Sequence, residues 1–165
     1  MTADMLIRPE PLTRESFRPY GQVIEVQGRD AVLINDGNTE KFADLASLLA
    51  SNRGRMALHI YRSKPAELPI TIQVMESHPL GSQAFFPLHT RPFPIVVALP
   101  GPAPGPGEIR VFLSNGHQGV NLNPGVWHHY QLSLDQESDY LVIDRAGDDL
   151  NLETCSFDNP VVVQI

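Results

Sequence analysis

From residue 55 onward the chain is written in short apolar stretches, each broken by Pro, Gly or a polar cluster. Segments 56–61, 71–76, 83–88, 94–99, 109–114, 130–134 and 139–144 read as strands, and no amphipathic helix separates them. That texture predicts a mainly β fold, an antiparallel barrel or sandwich rather than a βαβ fold. Earlier in the chain Thr13 suits the N-cap of a short helix within 8–20 that Pro19 and Gly21 stop. Segments 23–26 and 31–34 read as strands, followed by the turn cluster Asn35-Asp36-Gly37-Asn38. Phe42, Leu45 and Leu49 then recur at helical spacing and predict a longer helix over 39–50, ended by residues 52–54. The Pro/Gly-rich stretch 100–107 lacks the donors a ladder needs and reads as an exposed hairpin tip.

Residues two apart on a strand share a face, which sorts the side chains further. Ile72 and Val74 continue in the same parity to Glu76 and His78, so an apolar face becomes ionisable at its end. In the stretch that follows the turn at Pro124-Gly125, Val126, His128, Tyr130, Leu132 and Leu134 share one face and Trp127 and His129 the other. His128 is then the pocket histidine, although a one-residue slip would exchange the pair. The expectation is one wall carrying His128 and a facing wall carrying Glu76, His78 and Gln83. Leu58, Ile60 and Arg62 share a parity as well, which makes Arg62 a candidate inward cation able to grip a carboxylate in bidentate fashion. Arg29 and Arg145 are similar candidates, with Asp144-Arg145 expected as a structural ion pair. His59, His89 and His117 are expected to be surface or satisfied core groups, and Trp127 suits core or interface packing equally.

Length and charge narrow the picture. The 165 residues suit one domain spanning 1–165. A formal charge of -7 with no basic run argues against a nucleic-acid or anionic-membrane surface. The longest apolar run, 95–100, is far short of the ~20 residues a bilayer span needs. One cysteine, Cys155, leaves no disulfide framework. The N-terminal stretch Met1-Thr-Ala-Asp-Met5 lacks the basic and apolar regions of a secretory signal. A cytoplasmic protein is expected.

Two motifs carry a resemblance. Glu76-x-His78-x4-Gln83 has the spacing of the first cupin motif, with Glu and Gln substituted, and Asn123-Pro124-Gly125-Val126-Trp127-His128 resembles the second. Longer strings sharpen it: Leu33-Ile-Asn-Asp-Gly37, Lys64-Pro-Ala-Glu-Leu-Pro69, His78-Pro-Leu-Gly-Ser-Gln-Ala-Phe85, Ser114-Asn-Gly-His-Gln-Gly-Val-Asn121, Val126-Trp-His-His129 and Ile143-Asp-Arg145 occur in this order. Together they resemble the ureidoglycolate lyase family, whose match runs from about Leu6 to Arg145, with little added by the tail 146–165. The resemblance implies a cupin-like double-stranded β-helix and a homodimer that splits (S)-ureidoglycolate into glyoxylate and urea. It also implies a nickel ion held by Glu76, His78, Gln83 and His128, or a metal-free site. Trp127, Gln83, Asn35 and Arg62 carry over as substrate-pocket positions, with Arg29 a further candidate for the carboxylate. Breaking this C–N bond takes a proton from a hydroxyl and returns one to nitrogen, so no nucleophile is required, and Glu76, His78 or His128 can supply the acid/base chemistry. The competing readings are another metal-dependent cupin enzyme, a dioxygenase or isomerase, and a non-catalytic small-molecule-binding cupin.

Overall fold

Frequent Pro and Gly keep the strands short, and the fold assembles them by distant pairing. The computed structural model describes residues 5–165; residues 1–4, part of the stretch read above for a secretory signal, lie outside the described residues. The elements are β1 (Met5–Ile7), β2 (Glu10–Pro11), α1 (Arg14–Phe17), β3 (Gly21–Ile24), β4 (Val32–Ile34), β5 (Thr39–Lys41), β6 (Arg55–Ser63), β7 (Ile70–Ser77), β8 (Gln83–Pro87), β9 (Pro94–Ala98), β10 (Arg110–Leu113), β11 (Gly119–Leu122), β12 (Trp127–His128), β13 (Ser138–Ala146) and β14 (Glu153–Val163). One sheet runs β1-β14-β7-β12-β9-β10-β2 and the other β3-β11-β8-β13-β6, while β4 and β5 pair only with each other. This is the mainly β, cupin-like sandwich expected, with α1 as its α-helix among the described residues. Two pairings, β1 with β14 and β2 with β10, are parallel rather than antiparallel.

Alternation along β9 shows how the core is divided. Ile95 and Val97 join Phe85, Phe112, Val120 and Val142 between the sheets, with Phe17 of α1 at one end. Val96 and Ala98 face the other way, into a second cluster with Ile72, Met75, Trp127, Leu132 and Val161. The centre of the larger sheet is therefore buried on both faces, which leaves the polar residues at the ends of its strands to line a mouth.

Several expectations are corrected. The helix over 39–50 does not form: Thr39–Lys41 closes a hairpin on β4, and the chain beyond it lies along the smaller sheet. Ser47 N–H donates to Gln22 Oε1 (3.0 Å), Leu49 N–H to Ser82 Oγ (2.8 Å), and Leu49 C=O accepts from Ser82 N–H (2.9 Å). These distant partners satisfy backbone groups that a helix would have paired locally. Segment 130–134 is not a strand: the ladder ends at His128, leaving one isolated bridge between Ser133 and Pro65, Tyr130 is exposed, and Leu132 turns into the second cluster. The tail contains the longest strand, β14, paired with β7 and β1 across a bulge between Ser156 and Val161. Val74 is exposed although Ile72 is fully buried, so the two do not share an inward face. Leu58 and Ile60, 64% and 53% exposed, lie on the outer side of β6, the reverse of the orientation expected. Asp144 and Arg145 do not pair; the Arg145 guanidinium is spent on Ser51 C=O, Asn52 C=O and Asp149.

Candidate active site

The site begins where β7 and β12 lie side by side. His128 is the cross-strand partner of Glu76, and His78 follows directly after β7. The turn before β12 is tied to that strand end. Gly125 N–H donates to His78 C=O (3.0 Å), and Ser77 Oγ donates to Gly125 C=O (3.0 Å). Gly125 sits at φ +81°, a left-handed conformation that glycine adopts without steric cost. One donor atom from each of Glu76, His78 and His128 lies within 4.8 Å of the others. The imidazole centroids are 5.0 Å apart, and His78 Nε2 is 3.9 Å from Glu76 Oε2.

The backbone sets the tautomers. His78 Nδ1 is 2.8 Å from Asn151 C=O, and His128 Nδ1 is 3.1 Å from Val126 C=O. A carbonyl oxygen only accepts, so each Nδ1 carries the proton and each Nε2 keeps its lone pair. Burial drives the His128 pKa down to about 4, opposed by its bond to Val126 and reinforced by the neighbouring His78 and His129. His128 is therefore neutral at neutral pH. Carboxylate oxygen plus two imidazole nitrogens, each oriented by a backbone carbonyl, is a donor set suited to a divalent transition ion.

The opposite wall comes from the smaller sheet. Gln83 and Phe85 of β8, Asp144 of β13 and Tyr61 of β6 face the trio across a cavity of about 520 Å³, with Arg62, Ser63, Tyr130 and Gln131 also lining it. Gln83 Nε2 donates to Asp144 Oδ2 (3.2 Å), and the other Asp144 oxygen accepts from His59 Nε2 (3.0 Å). The division of walls thus differs from expectation: Glu76 and His78 share a sheet with His128, and Gln83 stands opposite all three.

The remaining sequence-derived positions scatter. Arg62 lies at the cavity edge, but Asp139 holds its guanidinium in bidentate fashion (2.8 and 3.0 Å), so it is no free inward cation. Trp127 does not line the cavity, because it is on the face of β12 opposite His128; it is packed in the second cluster and donates from Nε1 to Gly101 C=O (3.1 Å). Asn35, at φ +54°, caps the β4–β5 hairpin and donates to Thr39 Oγ1, and neither it nor Arg29 lines the cavity. His129 turns away from the cavity, its Nδ1 bonded to Val74 C=O and its ring 3.9 Å from that of Tyr130. Sequence reasoning missed Tyr61, Asp144 and Asn151. Parity with Arg62 placed Tyr61 on the outer face, and the carbonyl of Asn151 carries no signal in a sequence.

A polar trio and a facing amide at the mouth of a cupin-like sandwich define a small-molecule enzyme of the cupin class. The family model described as ureidoglycolate lyase matches residues 4–164. Relatives named ureidoglycolate lyase include those of Brucella anthropi, 50% identical over 149 residues (90% of this chain, 88% of that protein), and Pseudomonas entomophila, 48% identical over 145 residues (87% of each). A third, from Stutzerimonas stutzeri, is 45% identical over 149 residues, covering 90% of this chain and 88% of its own. The chain belongs to the ureidoglycolate lyase family.

Proposed function

We propose that this protein is a ureidoglycolate lyase, cleaving (S)-ureidoglycolate to glyoxylate and urea. The observation that carries this reading is the convergence of Glu76, His78 and His128 on one wall of the cavity. The substrate carbon bears a hydroxyl, a carboxylate and the ureido nitrogen. As the hydroxyl loses its proton, its electron pair forms the carbonyl of glyoxylate, the C–N bond breaks, and a proton returns to nitrogen to complete urea. We assign the proton acceptor to the Glu76–His78 pair, which then returns the proton to the departing nitrogen. His128, kept neutral by burial, completes the same donor set with its Nε2 lone pair. Gln83 faces the ureido end.

The same trio fits a resident divalent metal, for which nickel is the proposed identity. A carboxylate can ligate through one oxygen and accept a proton on the other. When bound, the ion supplies Lewis-acid polarisation of the substrate hydroxyl. Gln83, held by Asp144, is assigned to substrate rather than to the metal. A homodimer belongs to the same proposal. The outward Leu58 and Ile60 of β6, and Val32 and Leu33 of the β4–β5 hairpin, are exposed apolar side chains that a second copy would cover. A cytoplasmic location accords with a metabolic enzyme family and a lone cysteine.

Incubating the protein with racemic ureidoglycolate tests the proposal: glyoxylate and urea should form in equal amounts from one enantiomer. Ammonia and CO2 in place of urea would make it an amidohydrolase. Failure to turn over after supply of nickel, manganese or zinc would overturn the lyase reading.

A further inference from the structure

The smaller sheet carries a polar network that the elimination above does not use. Its centre is Asp144, whose two oxygens are committed in different directions: one accepts from His59 Nε2 at 3.0 Å, the other from Gln83 Nε2 at 3.2 Å. An ionised carboxylate can only accept, so the Gln83 amide is held with its nitrogen toward Asp144 and its oxygen turned away. That oxygen is buried and has no hydrogen-bond partner among the described residues, in a side chain only 6% exposed that lines the cavity. An unmet buried acceptor is costly, and a ligand N–H relieves it. Beside it stands the Tyr61 phenol, which interacts with both Gln83 and Asp144. Burial first, then the Asp144 and Glu76 carboxylates, hold the phenol above its ordinary range. Asp144 can only accept, so the single phenol proton is directed to it, and this wall offers acceptors to a ligand, the unmet Gln83 oxygen first. A ureido group presents the complement, N–H donors on both of its nitrogens.

Building on the lyase reading of the cavity, we propose that Asp144 is a positioning residue that orients Gln83 and Tyr61 into the subsite selecting a ureido leaving group. His59 anchors Asp144 from the solvent side. Recognition of the ureido end thus resides in β6, β8 and β13, while the glyoxylate end is handled by β7 and β12. Asp144→Asn retains size but replaces one acceptor by a donor, which clashes with His59 N–H or with Gln83 N–H and releases the amide to turn over.

The test uses two probes that cannot eliminate. Ureidoacetate keeps the ureido and carboxylate groups but lacks the hydroxyl; glycolate keeps the hydroxyl and carboxylate but lacks the ureido group. Calorimetric titration of Asp144→Asn should show ureidoacetate binding weakened about 10- to 100-fold, the loss of one or two good hydrogen bonds. Glycolate binding should stay within about threefold of wild type. In turnover, the loss should lie in KM more than in kcat. Tyr61→Phe, which keeps the ring against Phe85, should give the same selective loss, and His59→Gln, which keeps a donor toward Asp144, should lose less than His59→Ala. Parallel weakening of both probes, or unchanged ureidoacetate binding, would overturn the proposal. Because the titrations need no turnover, a wild-type protein inert toward ureidoglycolate would refute the lyase reading and leave the probe comparison to decide the subsite by itself.

Discussion

The two walls of the cavity are held in place by different means. On the larger sheet, His78 and His128 are each fixed by an imidazole N–H bonded to a backbone carbonyl, and Glu76 is set by direct strand pairing with His128. On the smaller sheet, Gln83 and His59 are held by another side chain, Asp144. Main-chain anchors leave the functional atoms of the first wall as bare lone pairs, fit for a proton or a metal ion. Side-chain anchors give the second wall an acceptor pattern that one substitution can rewrite. On the proposed lyase reading, chemistry and selectivity are separable.

The largest effect should come from the first wall. His128→Ala should lower the rate of glyoxylate formation about 10²- to 10⁴-fold, the usual range for a positioned acid, base or its support. His129→Ala, one residue away but facing the other side of β12, should stay within a few-fold of wild type by about the same measure. Steady-state rates, with thermal unfolding to verify that both variants fold, decide the matter, and the reverse order would remove His128 from the site.

That contrast was legible in part. Alternation along 126–129 placed His128 and His129 on opposite faces, because a strand obeys its period over so short a run. The same rule failed on β6. Leu58 and Ile60 are apolar yet outward, and Tyr61 lines the cavity in their place, with Arg62 only at its edge and held by Asp139, so hydrophobicity pointed to the wrong face. Local signals fared well: Thr13 Oγ1 accepts from Ser16 N–H as a helix cap should, and Asn35 and Asp36 adopt the positive φ of a tight hairpin. What escaped depends on distant partners. The helical spacing of 39–50 yields to bonds with Gln22, Ser82 and Asn121, and β14 is interrupted by Asp158-Asn159-Pro160, so it takes pairing with β7 and β1 to make it a strand. Asp144 looked like a partner for Arg145, but adjacent strand residues point to opposite faces.

Metal binding sharpens the comparison next. Nickel affinity, measured by titration of the chelator-treated protein, should fall at least about 100-fold in His78→Ala, which removes one of three donors. Asp144→Asn should leave it near wild type, since Gln83 on the second wall is assigned to substrate. Equal losses in both variants would merge the two walls into one site.

Acid stability isolates the first wall by another route. The His128 imidazole titrates near 6.5 when free and near 4 when buried. Between those values the unfolded chain binds the extra proton and the folded one does not. Stability is thus intact above about pH 6.5 and declines as pH falls toward 4, by at most roughly 3 kcal/mol from this one group. Burial lowers the pKa of His129 and His89 too, adding to the same slope. Urea unfolding of the metal-free protein between pH 7 and 5 should therefore show a steep loss that is visibly shallower in His128→Gln. An unchanged slope would mean that His128 is open to solvent.

The smallest effect is expected at Arg62, and it discriminates between sequence and structure most directly. Parity made Arg62 the inward grip for the substrate carboxylate, for which replacement by alanine would raise KM steeply. The structure instead spends its guanidinium on Asp139, with Glu137 3.8 Å away, and leaves the side chain 67% exposed at the rim. Exposed ion pairs of this kind contribute little, and a cation already matched by two carboxylates has scant charge left for a third. KM for ureidoglycolate in Arg62→Ala should accordingly remain within about threefold of wild type. A larger rise, with kcat unchanged, would show that substrate draws Arg62 away from Asp139, and would make Arg62 the residue that grips the substrate carboxylate.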